Sequence, residues 1–192
     1  MAPHISSITE AGIAGVNKKE FYRSVRTGDL VFCCGRAGIS RAIEDVTSSI
    51  FSHVLMAWLP CDSDQWLTIE STVERGVHIG LLSSYVDDYE GDLFLARRPN
   101  LTAADLRKAR DAGLQLLGDA YDWKQEVSMV GHKLLSRIPV EIPKNEYFCS
   151  GLQYIMSLAT PFPLQRPGPN YPTPEDVWRD PTVVPVCALK ET

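Results

Sequence analysis

The sequence has no excess of positive charge and no long hydrophobic run. Lysine and arginine number 19 against 24 aspartates and glutamates, which gives a formal net charge of −5. Nucleic-acid binding depends on clustered basic residues, and no basic stripe is present, so we expect no nucleic acid among the partners. No apolar run is long enough to span a bilayer, so no membrane span is expected either.

Signals for secretion, disulfide formation and metal binding are also missing. Met1–Ser7 lacks the basic start and the apolar stretch of a signal peptide, which predicts a cytoplasmic protein. The five cysteines are an odd number without zinc-ligand spacing, which favours free thiols in a reducing compartment. Neither His-x-His nor His-Glu-x-x-His occurs, so we expect no metal and no cofactor. The cysteines are Cys33, Cys34, Cys61, Cys149 and Cys187.

What is present is enough for one folded domain. The chain has 192 residues and is 44% hydrophobic, so it can bury a core of its own. We expect a single domain over residues 1–192, with a core of about 28–159. Eight of the 13 prolines lie between Pro161 and Pro185, which predicts an ordered tail over 160–192 that wraps the surface.

The pattern of elements predicts an α+β fold. Apolar runs predict strands near 30–34, 51–59, 66–70, 76–79 and 92–96. Helices are predicted after the N-caps Asn17 and Thr102, the second with Asp105 at its third position and Gly118 as its C-cap. Further helices are predicted over 38–46 and 123–136, and another starts at Thr173.

Cys149 lies at the start of a predicted helix. Leu152, Ile155, Met156 and Ala159 give that helix one apolar face, which places the cysteine in the first turn. Unpaired backbone N–H groups and the positive end of the helix dipole favour a thiolate at this position. Its own backbone N–H is also the most direct donor to an oxyanion.

A base and a carboxylate are available on neighbouring predicted strands. His53 lies in one apolar run, and Glu70 ends the next. A cysteine on a helix start, with a histidine and an acid on strands, is typical of a papain-like Cys-His-acid site. Each residue also has a simpler interpretation: a buried cysteine, a core histidine and a solvated carboxylate. Glu74 is the nearest substitute for Glu70.

The order of the motifs resembles a known family. In NlpC-type cysteine peptidases the nucleophile helix precedes a Gly-Asp-Leu-Val-Phe strand, a His-Val strand and a strand with the third polar residue. Here 28–32, 52–54 and 69–71 match the strands, and the cysteine helix comes last. This order is similar to that of the circularly permuted YiiX-like branch. Tyr121-Asp122 and the Tyr-x-Cys-Ser start at Tyr147 also fit that branch.

The resemblance implies a fold and a function. The fold would be papain-like, with a small antiparallel barrel-like sheet and the catalytic helix packed across it. Cys149 would be the nucleophile, His53 the base and Glu70 the residue that orients it. The enzyme would cleave an amide or isopeptide bond, in substrates such as peptidoglycan-like peptides.

Two further residues are candidates for substrate binding. Tyr121 would line the cleft or donate to the oxyanion, and packing in the core is the alternative. Asp29 is shared with the family, although capping of a turn explains it without chemistry. Gly151-Leu152-Gln153 and 55–57 depart from the family pattern, which bears on substrate preference.

Two other functions remain open from the sequence. The permuted order also resembles the lecithin:retinol acyltransferase-like enzymes, which move acyl groups from lipids through a thioester. Those enzymes usually carry a second histidine as the third member, where this chain has Glu70. The other alternative is a papain-like scaffold that serves as a binding module without catalysis, against which an intact triad argues.

Overall fold

Seven strands form one mixed sheet in a computed structural model of the chain, which describes residues 12–35, 50–121, 147–167 and 171–190. The predicted helices at 38–46 and 123–136, and Asp122, lie outside these ranges. The strands are β1 (Gly15–Val16), β2 (Leu30–Gly35), β3 (His53–Trp58), β4 (Leu67–Thr72), β5 (Gly76–Leu81), β6 (Gly91–Arg97) and β7 (Val184–Leu189). The helices are α1 (Lys18–Ser24), α2 (Ser83–Val86), α3 (Ala103–Leu114), α4 (Cys149–Ser157) and α5 (Pro174–Trp178).

The sheet is open and does not form the predicted barrel. Its order is β1-β7-β6-β2-β3-β4-β5, so β1 and β5 lie at opposite edges. Near its start, the outer edge of β5 is bonded to the segment after α3. Val77 N donates to Asp119 O at 2.8 Å and Gly118 N donates to Val77 O at 2.9 Å. Those backbone groups are therefore not available for closure. The parallel β1–β7 pair is a second departure from the expected antiparallel sheet.

Apolar residues cover both faces of the sheet. Along β2, Phe32 and Cys34 belong to one buried cluster and Val31 and Cys33 to the other, because successive side chains point to opposite faces. Helix α4 packs on the first face against β3 and β4. Helices α1 and α2 contribute buried side chains to the second cluster. The core thus lies on both sides of the central strands.

Side-chain caps define the starts of three helices, as the sequence predicts. Asn17, Thr102 and Thr173 each accept a hydrogen bond from the third helical residue, which bonds back to the cap. The end of α3 differs from the prediction, because the helix stops at Leu114. Gly118 has φ +89° and directs its N–H to β5 instead of capping the helix. Among the described helices, none has the length and apolar character needed to cross a membrane.

The proline-rich segment contributes buried residues and a strand of the sheet. Strand β7 lies inside the sheet, between β1 and β6. Pro185, which has no N–H to donate, pairs with Ala96 at a register shift in β6. Trp178 packs its ring against three buried phenylalanines of the first cluster. Part of the segment predicted to wrap the surface therefore packs in the core, whereas residues 161–163 and 165–167 are exposed.

Candidate active site

Cys149 is the first residue of α4, as the sequence predicts. Phe148 is the N-cap, in extended conformation, and its side chain makes no capping hydrogen bond. The first-turn N–H groups of α4 are therefore not capped by a side chain, in contrast to α1, α3 and α5. Leu152 and Met156 anchor the helix, each at most 1% exposed. Burial of side chains of this size contributes about 1.5–3 kcal/mol each.

His53 is the first residue of β3 and lies between Cys149 and Glu70. Its Nε2 atom is 3.0 Å from Glu70 Oε2, and the ring also makes a hydrogen bond with the Cys149 side chain. The imidazole is largely enclosed, with 17% of its side chain exposed. Burial alone would lower the pKa of His53. The hydrogen bonds and charges of its two partners outweigh burial and raise the pKa to about 10.

Glu70 lies within its strand and not at the strand end. Strand β4 continues to Thr72, and Glu70 is only 1% exposed. The sequence prediction of a strand-end carboxylate was wrong, because the polar residues that follow remain in the sheet. Its oxygens accept from His53 Nε2 at 3.0 Å, from Thr68 Oγ1 at 2.6 Å and from the Tyr85 hydroxyl.

The charge on Glu70 is well stabilised despite its burial. Burial alone would raise the pKa of this carboxyl group. The three hydrogen-bond donors, together with the charge of the His53 ring, outweigh burial and lower the pKa to about 2. His78 is a more distant neighbour, with Nε2 3.9 Å from Glu70 Oε1 and Nδ1 bonded to Gly76 O. Glu70 therefore remains ionised at neutral pH.

The register of β3 and β4 brings the histidine and the carboxylate together. Met56 pairs with Ile69 in the antiparallel ladder. If this register continues by one residue, Leu55 lies opposite Glu70, and His53 lies two residues further along the same face. Diagonal neighbours of this kind are within reach of long side chains. The close contact thus follows from strand pairing, which the sequence pattern alone does not define.

Two polar neighbours of Glu70 were not identified from the sequence. Thr68 is two residues before Glu70, so strand alternation puts both side chains on one face and gives a usable signal. Tyr85 comes from the one-turn helix α2, and no spacing rule relates it to Glu70 or His53. Its ring stacks on the imidazole of His53, with centroids 5.9 Å apart and planes at 13°.

The two predicted substrate-binding residues have different surroundings. Asp29 is 1% exposed, and its oxygens accept from Arg97 and from Arg26 N at 2.7–2.8 Å. It lies before the start of β2, whose far end pairs Cys33 with His53. Asp29 is therefore remote from His53, and its contacts fit the turn-capping alternative. Tyr121 is partly buried and packs against the buried cluster that contains Cys149.

The other four cysteines differ from Cys149 in position. Cys61 is exposed, whereas Cys33, Cys34 and Cys187 are buried, and none of the five forms a disulfide. Burial, aided by the negative charge of Glu70, holds the pKa of Cys33 well above its usual range. The described residues thus contain one thiol that combines a helix start with a histidine partner.

Comparison with known proteins identifies both the fold and the family. A crystal structure of metalloprotein yiiX from Escherichia coli O157:H7 has a TM-score of 0.64 and 19% sequence identity to this chain. The match covers 88% of this chain and 98% of that chain, and at this identity it shows the fold alone. Within the described ranges, no group of three or more His, Cys, Asp or Glu residues is placed to hold a metal ion.

The sequence profile of one family matches most of the chain. A comparison with curated proteins finds no match. The family described as permuted papain-like amidase enzyme, YaeF/YiiX, C92 family, matches residues 24–156, a range that contains Cys149, His53 and Glu70. The chain therefore belongs to the permuted papain-like amidases of the YaeF and YiiX type.

Proposed function

We propose that Cys149, His53 and Glu70 are the catalytic triad of a thiol hydrolase that cleaves an amide or isopeptide bond. One observation carries this proposal: the imidazole of His53 joins a cysteine at a helix start to a buried carboxylate. The family supports an amidase in general. The assignment of the three residues rests on their contacts.

Acylation begins with a thiolate–imidazolium pair. Since Nε2 of His53 is bonded to Glu70, Nδ1 is the ring nitrogen left to exchange a proton with the thiol. The Cys149 thiolate attacks the carbonyl carbon of the substrate, and the carbonyl electron pair moves to oxygen. The backbone N–H of Cys149 stabilises that oxyanion. As the C–N bond breaks, the imidazolium gives its proton to the leaving amine, which leaves a thioester on the enzyme.

Deacylation uses the same groups in the reverse roles. The neutral imidazole of His53 takes a proton from water, and the hydroxide equivalent attacks the thioester carbon. The thiolate leaves, the acid product is released and the ion pair is restored. Glu70 fixes the ring orientation and stabilises the imidazolium through the Nε2–H bond, without taking a proton itself.

The proposed substrate class is a peptide amide, with peptidoglycan-like peptides as the case that the family resemblance implies. The contacts of His53 favour this function over lipid acyl transfer. In acyltransferases of the lecithin:retinol type, a second histidine usually holds the base. Here Glu70 makes the contact at 3.0 Å, and His78 lies behind it, 3.9 Å from the other carboxylate oxygen.

The experiment is a single-turnover assay on an activated peptide anilide, with intact-mass detection of the acyl-enzyme. Wild type should release the amine and gain the mass of the acyl group on Cys149. Cys149→Ala should do neither, while Cys61→Ala, which removes an exposed thiol, should behave as wild type. Acylation in a Cys149→Ala protein with a normal melting curve would refute the triad and leave a different site or a binding module.

A further inference from the structure

Tyr85 is held in a fixed place by the short helix that carries it. Helix α2 has one turn, and Leu82, its N-cap, and Val86, its last residue, are at most 2% exposed. Leu82 N donates to Trp66 O at 3.0 Å, which ties the start of the helix to the residue before β4. Lys18 Nζ donates to Asp87 O at 2.9 Å at its other end. The phenol ring therefore approaches the site from a supported backbone.

Tyr85 contacts both partners of the His53–Glu70 pair. Its hydroxyl group donates to Glu70 Oε2, the same oxygen that accepts from His53 Nε2. Its ring is nearly parallel to the imidazole, at 13° and with centroids 5.9 Å apart. One side chain thus limits both the position of the acceptor oxygen and the tilt of the ring that donates to it.

The two oxygens of Glu70 are held from different elements. Thr68 Oγ1 donates to Oε1 at 2.6 Å from β4 itself, whereas Tyr85 donates to Oε2 from α2. Without the Tyr85 hydroxyl, Oε1 would keep its bond from Thr68, whereas Oε2 would keep only the bond from His53. Burial and the negative charge of Glu70 raise the pKa of Tyr85, so its hydroxyl stays protonated and remains a donor.

We propose that Tyr85 is a positioning residue for catalysis. Its hydroxyl group fixes the position of Glu70 Oε2, and its ring fixes the orientation of the His53 imidazole. The proposal rests on the proposed function, because Tyr85 acts through the triad. It does not require Tyr85 to touch the substrate. Its hydroxyl is therefore expected to affect turnover more than substrate binding, since the imidazolium acts after the substrate is bound.

Tyr85→Phe isolates the hydroxyl group, because phenylalanine keeps the ring. We expect kcat to fall about tenfold, which is the lower end of the loss in activity when a hydrogen-bond partner that orients a metal ligand is removed. KM should stay within about twofold of the wild-type value. The matched control is Tyr22→Phe, which removes a tyrosine hydroxyl from another carboxylate, that of Asp87 at 3.1 Å. That variant should keep the wild-type kcat.

The same change in a Glu70→Ala background separates positioning from general support of the fold. If Tyr85 acts through the carboxylate, Tyr85→Phe should lower kcat less than about twofold once Glu70 is gone. An equal loss in both backgrounds would show a structural role only, and would overturn the proposal. A wild-type kcat for the single Tyr85→Phe variant would also overturn the proposal.

A second measurement applies if Glu70→Ala does not fold. The Nε2–H proton of His53, observed by NMR in histidine-labelled protein, should exchange faster with water in Tyr85→Phe than in wild type. Unchanged exchange would reject the positioning role. Turnover by Cys149→Ala would reject the triad itself. If Cys149→Ala is inactive and Tyr85→Phe is fully active, only the role of Tyr85 is rejected.

Discussion

Gly80 on β5 approaches Glu70 on β4 so closely that a Cβ atom at position 80 would force the carboxylate to move. A Cβ atom on Gly80 would lie 2.4 Å from Glu70 Oε1 and 2.6 Å from Thr68 Oγ1. Gly80 pairs directly with Thr68 in the ladder, so the three groups share one face of the sheet. The space that the carboxylate occupies therefore depends on a missing side chain in the next strand.

Gly80→Ala should displace the Glu70 carboxylate without unfolding the domain. A misplacement of about 1 Å in a catalytic group can cost about 100-fold in rate, so we expect a loss in kcat of up to that size. The control is Gly15→Ala on the edge strand β1, where a Cβ atom meets nothing within 4 Å. Steady-state kinetics and thermal melting of both variants make the test, and an unchanged kcat for Gly80→Ala would contradict it.

The His53–Glu70 pair should make stability depend on pH at both ends of the range. The pKa of His53 rises from 6.5 to about 10 on folding, so its contribution is complete below 6.5 and is lost as pH rises toward 10. The pKa of Glu70 falls from 4.5 to about 2, so its contribution is complete above 4.5 and is lost as pH falls toward 2. Both contributions are complete only between 4.5 and 6.5.

Melting temperatures of wild type and His53→Gln across this range provide the measurement. The difference between them should be largest near pH 5–6, between the two unfolded pKa values. It should shrink steadily as the pH approaches 10, where the imidazolium of the wild type loses its proton. A difference that stays constant from pH 6 to 10 would mean that His53 is not charged in the folded protein.

Asp29 should matter for stability and not for turnover. It is buried and bonded to Arg97 at 2.7 Å, so Asp29→Ala removes the carboxylate from a guanidinium group that keeps the Ser24 carbonyl as an acceptor. Because 23% of the Arg97 side chain is exposed, we expect a cost in unfolding free energy between the about 1 kcal/mol of an exposed pair and the about 3–5 kcal/mol of a fully buried one. Asp111→Ala is the matched control, since its pair with Arg110 is exposed and should contribute less than about 1 kcal/mol. Chemical denaturation measures the unfolding free energy of both variants. A reduced kcat for well-folded Asp29→Ala would instead support the predicted role of Asp29 in substrate binding.

Local chemistry explains which parts of the site the sequence could predict. The start of α4 follows from an apolar stripe behind Cys149, and the strand of His53 follows from its apolar run. Thr68 could have been found from strand alternation with Glu70. Tyr85 could not, because a one-turn helix has no periodicity, and its contact with Glu70 depends on how α2 docks on the sheet.

The fold shows the same division between local and distant information. The N-caps Asn17, Thr102 and Thr173 were correctly predicted, since each depends on residues within one turn. Strand β7 was missed because Pro185 disfavours a central strand unless the partner strand shifts its register there. The barrel was expected from resemblance, and the open sheet follows from bonds between β5 and the segment at Gly118–Asp119 that no short pattern encodes.

Cys149 should be the most reactive thiol although it is almost fully buried. It is 3% exposed, whereas Cys61 is exposed, so access alone predicts that iodoacetamide labels Cys61 first. At pH 6, however, an ordinary thiol is less than about 1% ionised, and the thiolate is the form that reacts. In the proposed mechanism Cys149 reacts as the thiolate partner of the His53 imidazolium, so we expect Cys149 to be labelled first at this pH.

His53→Ala is the variant that tests the reason for this order. Without the imidazolium, Cys149 keeps only the helix start, and its burial should then make it slower than Cys61. Peptide mapping by mass spectrometry after short exposure at pH 6 gives the order directly. If Cys61 reacts first in wild type, the ion pair does not outweigh the burial of Cys149 at this pH. If Cys149 stays first in His53→Ala, the helix start and not the histidine holds the thiolate, and His53 serves only as the acid that protonates the leaving group.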